Sequence, residues 1–167
     1  MKKNIYISGC GGMLGDAFYK VFRNNYNLKC SDKIKNEDWI YTLDFTNFNN
    51  YKQDVYNHKT NILIHLGAIT DLEECELNPN NTYLNNTTSV EYAVEISNSL
   101  QIPLVFISTA GIFDGNKDFY IDDDKPNPLS HYGMSKYKSE IHIIKNSRNF
   151  LICRAGWMMG GGRRKDK

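Results

Sequence analysis

The chain has 167 residues, 20 basic against 19 acidic, and a net charge of +1. That balance excludes the basic excess of a nucleic-acid binder and the charged face of a membrane-surface protein, and no stretch approaches the ~20 apolar residues of a membrane span. The cysteines, Cys10, Cys30, Cys75 and Cys153, form no C-x-x-C pair, so neither zinc nor a disulfide framework is indicated and a cytoplasmic protein is expected.

Ile5, Tyr6 and Ile7 form a β-branched and aromatic run, the mark of a buried strand. It stops at Ser8. Gly9-Cys10-Gly11-Gly12-Met13-Leu14-Gly15 follows, then a stretch from Asp16 to Asn25 that can be helical with Ala17, Val21 and Phe22 on one side. A strand, a glycine turn and a helix in that order suit a bound pyrophosphate, because the helix start offers free N–H groups and partial positive charge. Gly9, Gly12 and Gly15 make a G-x-x-G-x-x-G variant of the dinucleotide fingerprint. The glycines alone describe a flexible turn equally well; the flanking strand and helix favour the cradle. Asn27 to Ser31 reads as a second strand. Asp32 follows it, about 20 residues past the first glycine, where a carboxylate accepts from a ribose diol and repels a 2′-phosphate, favouring NAD over NADP. A solvated turn aspartate fits Asp32 too, and Lys33 and Lys35 soften the discrimination.

Trp39 to Leu43 reads as a short strand ending at Asp44, and Thr46 or Asn47 caps a helix to about His58. Asn61 to Leu66 is a continuous apolar strand for the middle of a parallel sheet. Gly67 and Ala68 after it are small enough for a dinucleotide to lie against the strand end, and His65 reads as a core or edge histidine. Thr70 to Asn81 is a polar loop or short helical turn, Thr82 to Leu100 a long helix, Leu104 to Ile107 a strand and Ser108 to Asp124 a long loop. Pro126 and Pro128 forbid a helix there; Ser130 caps one from His131 to about Lys145; Phe150 to Cys153 is a last strand before a glycine-rich, charged tail from Gly160. Paired asparagines such as Asn85-Asn86 read as compositional bias. Alternating strands and helices predict an α/β chain, a Rossmann-type doubly wound parallel sheet with helices on both faces, as one domain over residues 1–167.

Tyr132 and Lys136 are four apart and share a helical face, where an ammonium beside a phenol lowers the phenol's pKa and lets it exchange a proton near neutral pH. With 11 tyrosines, about one such pair is expected by chance. Its company carries more. Val105 to Ala110 is a strand running into hydroxyl residues, and in an open parallel sheet ligands bind at carboxyl ends of strands, which puts Thr109 at the same crevice as the glycine loop. Alone, Thr109 reads as a turn residue.

Together these residues resemble the extended short-chain dehydrogenase/reductase (NAD-dependent epimerase/dehydratase) superfamily, and most of all its dTDP-4-dehydrorhamnose reductases. Ser8-Gly9-x-x-Gly12-x-x-Gly15, His65-Leu66-Gly67-Ala68, the Asn86 helix, Ser108-Thr109-Ala110-Gly111-Ile112-Phe113-Asp114-Gly115, Pro128-Leu129-x-x-Tyr132-Gly133-x-x-Lys136 and Arg154-Ala155-Gly156-Trp157-Met158 match its motifs in order. Ala110 replaces an acidic residue and His65 an asparagine. The resemblance implies that NAD(P)H reduces the keto carbon of a nucleotide-linked sugar, with Tyr132 donating the proton, Lys136 tuning Tyr132 and holding the nicotinamide ribose, and Thr109 orienting the carbonyl. It implies cofactor contacts from Gly9, Gly12, Met13, Leu14, Gly15, Asp32, Asp44, Gly67, Ala68, Asn86, Tyr132 and Lys136, and no metal. It also implies a homodimer through the helices carrying Asn86 and Tyr132, with Tyr92, Val94, Ile96, Ile141, Ile143 and Ile144 as its apolar surface. The superfamily continues for as long again past Lys167, so the C-terminal substrate domain is expected to be absent or truncated. An epimerase or dehydratase of the same superfamily and a non-catalytic dinucleotide-binding module stand as alternatives.

Overall fold

The computed structural model describes residues 2–159; the glycine-rich tail lies outside them. Six strands, β1 (Asn4–Ser8), β2 (Asn27–Asp32), β3 (Ile40–Thr42), β4 (Ile62–His65), β5 (Leu104–Thr109) and β6 (Phe150–Ala155), form one sheet in the order β3-β2-β1-β4-β5-β6. Every pairing is parallel. Strand order therefore reverses between β1 and β4, and the crevice above their carboxyl ends is where such sheets bind ligands.

The period-two alternation of the strands assigns the two faces. Tyr6, Leu63, Leu104 and Phe106 point to one core, shared with Tyr51 and Val55 of α2 (Phe48–Asn57), with Val90, Ala93, Val94 and Ile96 of α5 (Ser89–Leu100) and with Ile143 of α6 (His131–Asn146). Ile5, Ile7, Cys30, Ile40 and Ile64 point to the other, under Phe18, Tyr19 and Phe22 of α1 (Met13–Phe22). Helices thus cover both faces, as expected for a doubly wound sheet.

Three elements differ from expectation. First, α1 begins at Met13, straight off the glycine loop, which sets its register: Phe18 and Phe22 face the sheet, while Ala17 is exposed and Val21 is 65% exposed. Second, the polar stretch after β4 folds into α3 (Leu72–Leu77), capped by Asp71, and Pro79 opens α4 (Pro79–Tyr83). Third, α4 runs through a π-helical turn, Leu84–Thr88, before α5. That turn buries Asn85, Asn86 and Thr87, so the Asn85-Asn86 pair is a packed feature, not a compositional one. The N-caps read from sequence hold: Asn47 Oδ1 accepts from Asn50 N at 3.1 Å and Ser130 Oγ from Gly133 N at 3.0 Å.

Of the six apolar residues expected to offer a dimer surface, Val94, Ile96 and Ile143 lie in the core and Tyr92 packs on Phe48, leaving Ile141 and Ile144 exposed. No helix among the described residues is long and apolar enough to cross a membrane.

Candidate active site

The glycine loop hangs on the end of β2 and crosses the chain leaving β4. Gly9 N and Cys10 N donate to Ser31 O at 2.8 and 3.0 Å. Gly9 has a φ of +81°, and a Cβ there would lie 2.2 Å from Gly67 N. A Cβ on Gly15 would lie 2.2 Å from Cys10 O, so α1 meets its own loop only through a glycine. Gly12 is different. It precedes α1 with a φ of −90°, makes no side-chain cap, and a Cβ on it would touch nothing within 4 Å. Neither packing nor backbone conformation requires a glycine there, yet the space beside it is open, and the N–H groups of Met13 and Leu14 open an uncapped helix. An anion fits that opening.

Asp32 ends β2 against this loop. Its Oδ2 accepts from Gly11 N at 2.8 Å and its Oδ1 from Ile34 N at 3.2 Å, which leaves lone pairs for a diol. The Lys33 ammonium turns away from it, donating to Asn85 Oδ1 at 2.7 Å and pairing with Asp44 Oδ1 at 3.2 Å. Asp44 is engaged locally: Thr46 N and Thr46 Oγ1 donate to its Oδ1 at 2.9 and 2.6 Å. Partial burial opposes its ionisation, but these bonds and Lys33 hold the carboxyl below its usual range. Gly67 and Ala68 follow β4 beside Gly9.

Asn86, expected at the cofactor, is engaged within the protein. Fully buried in the π turn, it accepts from Ile69 N at 2.7 Å and donates to Ile69 O at 2.9 Å and to Ser135 Oγ at 3.1 Å. Its carboxamide clamps the segment after Ala68 to α6. His65 is a core histidine, as read: Nδ1 lies 2.9 Å from Ser8 Oγ and 3.1 Å from Tyr51 Oη, and Nε2 3.1 Å from Ser89 Oγ. Burial, with the nearby Lys136 charge, pulls its pKa down to about 3.

Thr109 and Tyr132 come together because α6 starts against the 3₁₀ turn Ala110–Ile112 that follows β5. A Cβ on Gly133 would lie 2.3 Å from Gly111 O, so only glycine lets the helix approach so closely. Thr109 Oγ1 accepts from Gly111 N at 3.0 Å. Burial raises the Tyr132 pKa, and the neighbouring Thr109 hydroxyl pulls the other way. The net direction is upward, opposite to the lowering expected from an adjacent ammonium. One turn further along α6, Lys136 is only 3% exposed, and its Nζ sits 4.1 Å from the centre of the Phe106 ring. Burial pulls the lysine down to about 7, against the charge of Glu140. Among the described residues nothing accepts a hydrogen bond from Lys136 Nζ. Ser108 Oγ, which shares the Phe106 face of β5, is also buried without a partner. The unpartnered Ser108 hydroxyl and the Lys136 amine, with the uncapped start of α1 two strands away, fit a dinucleotide with its ribose hydroxyls.

Sequence reasoning missed the support behind this trio. Glu140, a further turn along α6, is 1% exposed and takes Arg154 Nη2 at 2.8 Å and Nε at 3.1 and 3.2 Å. Ser139 Oγ donates to Asn86 O at 2.6 Å, and Thr87 Oγ1 to Ser135 O at 2.9 Å. The signal was present as the four-residue spacing of Tyr132, Lys136 and Glu140, and of the small Ser135 and Ser139 beside them. Arg154 also borders a recess of about 380 Å³ with Ala110, Phe113, Tyr120, Ile121 and Asp122, next to Thr109; Trp157 is 94% exposed.

A glycine loop at the switch point of a 3-2-1-4-5-6 parallel sheet, with Thr109, Tyr132 and Lys136 at the ends of β5 and α6, defines a Rossmann-fold unit of the short-chain dehydrogenase/reductase type. The chain belongs to the RmlD substrate binding domain family, which it matches over residues 2–166. It is similar to the dTDP-4-dehydrorhamnose reductase of Aggregatibacter actinomycetemcomitans, 29% identical over 163 residues that cover 93% of this chain and 52% of that protein. It is also similar to the methionine adenosyltransferase 2 subunit beta of Xenopus tropicalis, 27% identical over 92% of this chain and 46% of that protein. Among solved structures, the dTDP-4-dehydrorhamnose reductase of Bacillus anthracis in complex with NADP superposes with a TM-score of 0.87 at 28% identity, over 96% of this chain and 55% of that one. The chain spans about half the length of the curated relatives it matches.

Proposed function

We propose that this chain carries the cofactor-binding and proton-donating part of an NAD(P)H-dependent reductase of a 4-keto nucleotide sugar, of the dTDP-4-dehydrorhamnose reductase kind. The uncapped start of α1 beside Gly12 would take the pyrophosphate, Asp32 an adenosine ribose diol, and Lys136 with Ser108 the nicotinamide ribose. Asp32 favours NAD, while the Bacillus anthracis relative is a complex with NADP; the cofactor is one of the two. When bound, it supplies the hydride. Thr109 would hydrogen-bond the substrate carbonyl oxygen and Tyr132 would give it a proton.

The observation that carries this reading is the placement of Tyr132 beside Thr109 at the carboxyl end of β5, where α6 starts against the turn that follows the strand. A phenol placed there can give its proton to the oxygen as hydride reaches the carbonyl carbon. An epimerase or dehydratase must first remove a proton from a hydroxyl. The test incubates the chain, extended to the length of its relatives, with NADH or NADPH and a panel of 4-keto nucleotide sugars. Net cofactor oxidation supports the reductase; a changed sugar without net oxidation replaces it with an epimerase or dehydratase. No saturable binding of either dinucleotide at millimolar concentration refutes the cofactor assignment.

A second reading, a non-catalytic dinucleotide-binding module, is favoured by one observation: the relatives include a protein named as a subunit, aligned over the same stretch. Saturable cofactor binding without turnover on any sugar selects it. Four free thiols accord with action in the reducing cytoplasm, and the exposed Ile141 and Ile144 on α6 support a homodimer.

A further inference from the structure

Lys136 is a buried amine without a hydrogen-bond acceptor, and an amine in that position readily loses its proton. Titratable groups face its surroundings from each packed element. On α6 itself stand Tyr132 and Glu140. From β4 comes His65, neutral because it is buried. From β6 comes Arg154, which reaches Glu140. From α3 and α4 come Cys75 and Tyr83, and α5 offers Glu91, 3.9 Å from His142 and outside the core. The π turn contributes only amides and hydroxyls. Glu140 is therefore the buried anion at Lys136, and its charge acts on that amine.

Glu140 makes no direct hydrogen bond to Lys136 among the described residues. Arg154 grips both of its carboxylate oxygens, and the Arg154 guanidinium is itself anchored by Asp122 O at 2.8 Å and lies 5.5 Å from the Phe113 ring centre. A buried ion pair contributes little stability compared with apolar groups of the same volume. Packing alone does not account for a carboxylate here, whereas a fixed negative charge one turn from an unpaired amine does.

We propose that Glu140, held in place by Arg154, is a positioning residue that favours the ammonium form of Lys136, the form best able to donate to a ribose diol in the crevice. The proposal rests on the cofactor reading above for the diol, but the state of Lys136 is measured without any cofactor. The 167-residue chain is labelled with ¹³C-lysine, and the Lys136 Cε signal, assigned with Lys136→Arg, is followed from pH 5 to 11. In Glu140→Gln, which keeps the size of the side chain and one of its two acceptor oxygens, the Lys136 midpoint falls by about one pH unit or more, a tenfold loss of ammonium at fixed pH. An unchanged midpoint in a folded Glu140→Gln chain overturns the proposal. If the single variant fails to fold, Glu140→Gln/Arg154→Gln leaves no unpaired buried charge and is compared with Arg154→Gln, and a Lys136 midpoint no lower in the double variant overturns the proposal. In a fluorescence titration, Glu140→Gln weakens NADH or NADPH binding by up to tenfold at pH 7.5 and matches the parent at pH 5.5, where both lysines are protonated. Equal binding at pH 7.5 despite a lowered midpoint overturns the link to the diol. Absence of binding by the parent chain refutes the cofactor reading and leaves the lysine titration to decide this one.

Discussion

Gly12→Ala and Gly9→Ala separate a ligand-shaped glycine from a fold-shaped one. At Gly12 the backbone has a φ of −90°, and the added methyl meets no protein atom within 4 Å. Alanine caps a helix less well than glycine, while the unfolded chain loses freedom; the two effects offset to within about 0.5 kcal/mol, or ~2 °C in Tm. The methyl does enter the space where a phosphate would meet the first N–H groups of α1. Losing one charge-assisted hydrogen bond there costs about 1.5–3 kcal/mol, a 10- to 100-fold weaker Kd for NADH or NADPH. At Gly9 the same methyl would lie 2.2 Å from Gly67 N on a residue with φ +81°. Left-handed backbone costs ~1–2 kcal/mol and the clash more, so at least about 3 kcal/mol is lost, and Tm falls by ~6 °C or more. Thermal unfolding followed by circular dichroism, with a cofactor titration on each protein, reads both effects. Gly12→Ala binding within twofold of the parent would remove the phosphate from this opening. Gly9→Ala melting within 2 °C of the parent would refute the backbone crossing.

Two further predictions follow from the site. In a version extended to the length of the relatives, Tyr132→Phe lowers kcat by about 10²- to 10⁴-fold while the cofactor Kd stays within about threefold; retained turnover removes Tyr132 as proton donor. His65 has a folded pKa near 3 against an ordinary 6.5, so the unfolded chain binds its proton first. Its contribution is complete above pH 6.5 and is lost as pH falls from there towards 3, on the order of 4 kcal/mol across that window. Urea midpoints of the parent should therefore drop more steeply between pH 6.5 and 4 than those of His65→Asn, and parallel slopes would refute the neutral buried histidine.

The fold was largely legible because its strands are short apolar runs with punctuation at both ends: Ile5–Ile7 stopped by Ser8 and Gly9, Leu104–Ile107 opened by Pro103. The helices were harder. Ala17 and Val21 form as good an apolar stripe as Phe18 and Phe22, and what selects between them is the close contact of Gly15 with Cys10 O, a tertiary fact. The π turn over Leu84–Thr88 has no pattern of its own. Its cause is three-dimensional: Asn86 must reach both backbone groups of Ile69, and Thr87 and Asn86 must meet Ser135 and Ser139.

The site was legible in its members and not in its depth. Spacing puts Tyr132, Lys136 and Glu140 on one face of α6 but does not say that burial deepens along it, so that successive turns meet the Thr109 hydroxyl, an aromatic ring and an arginine. Depth changes the chemistry. At the surface end, Tyr132 meets a hydroxyl partner and keeps its proton. One turn deeper, Lys136 lies over Phe106, too desolvated to act as a simple fixed charge beside the phenol. The amine's protonation must then be set from behind, by a carboxylate that β6 holds still through Arg154. On the proposed reading, proton donation and cofactor grip are divided between two turns of one helix, so Tyr132→Phe and Glu140→Gln are expected to fail in different assays.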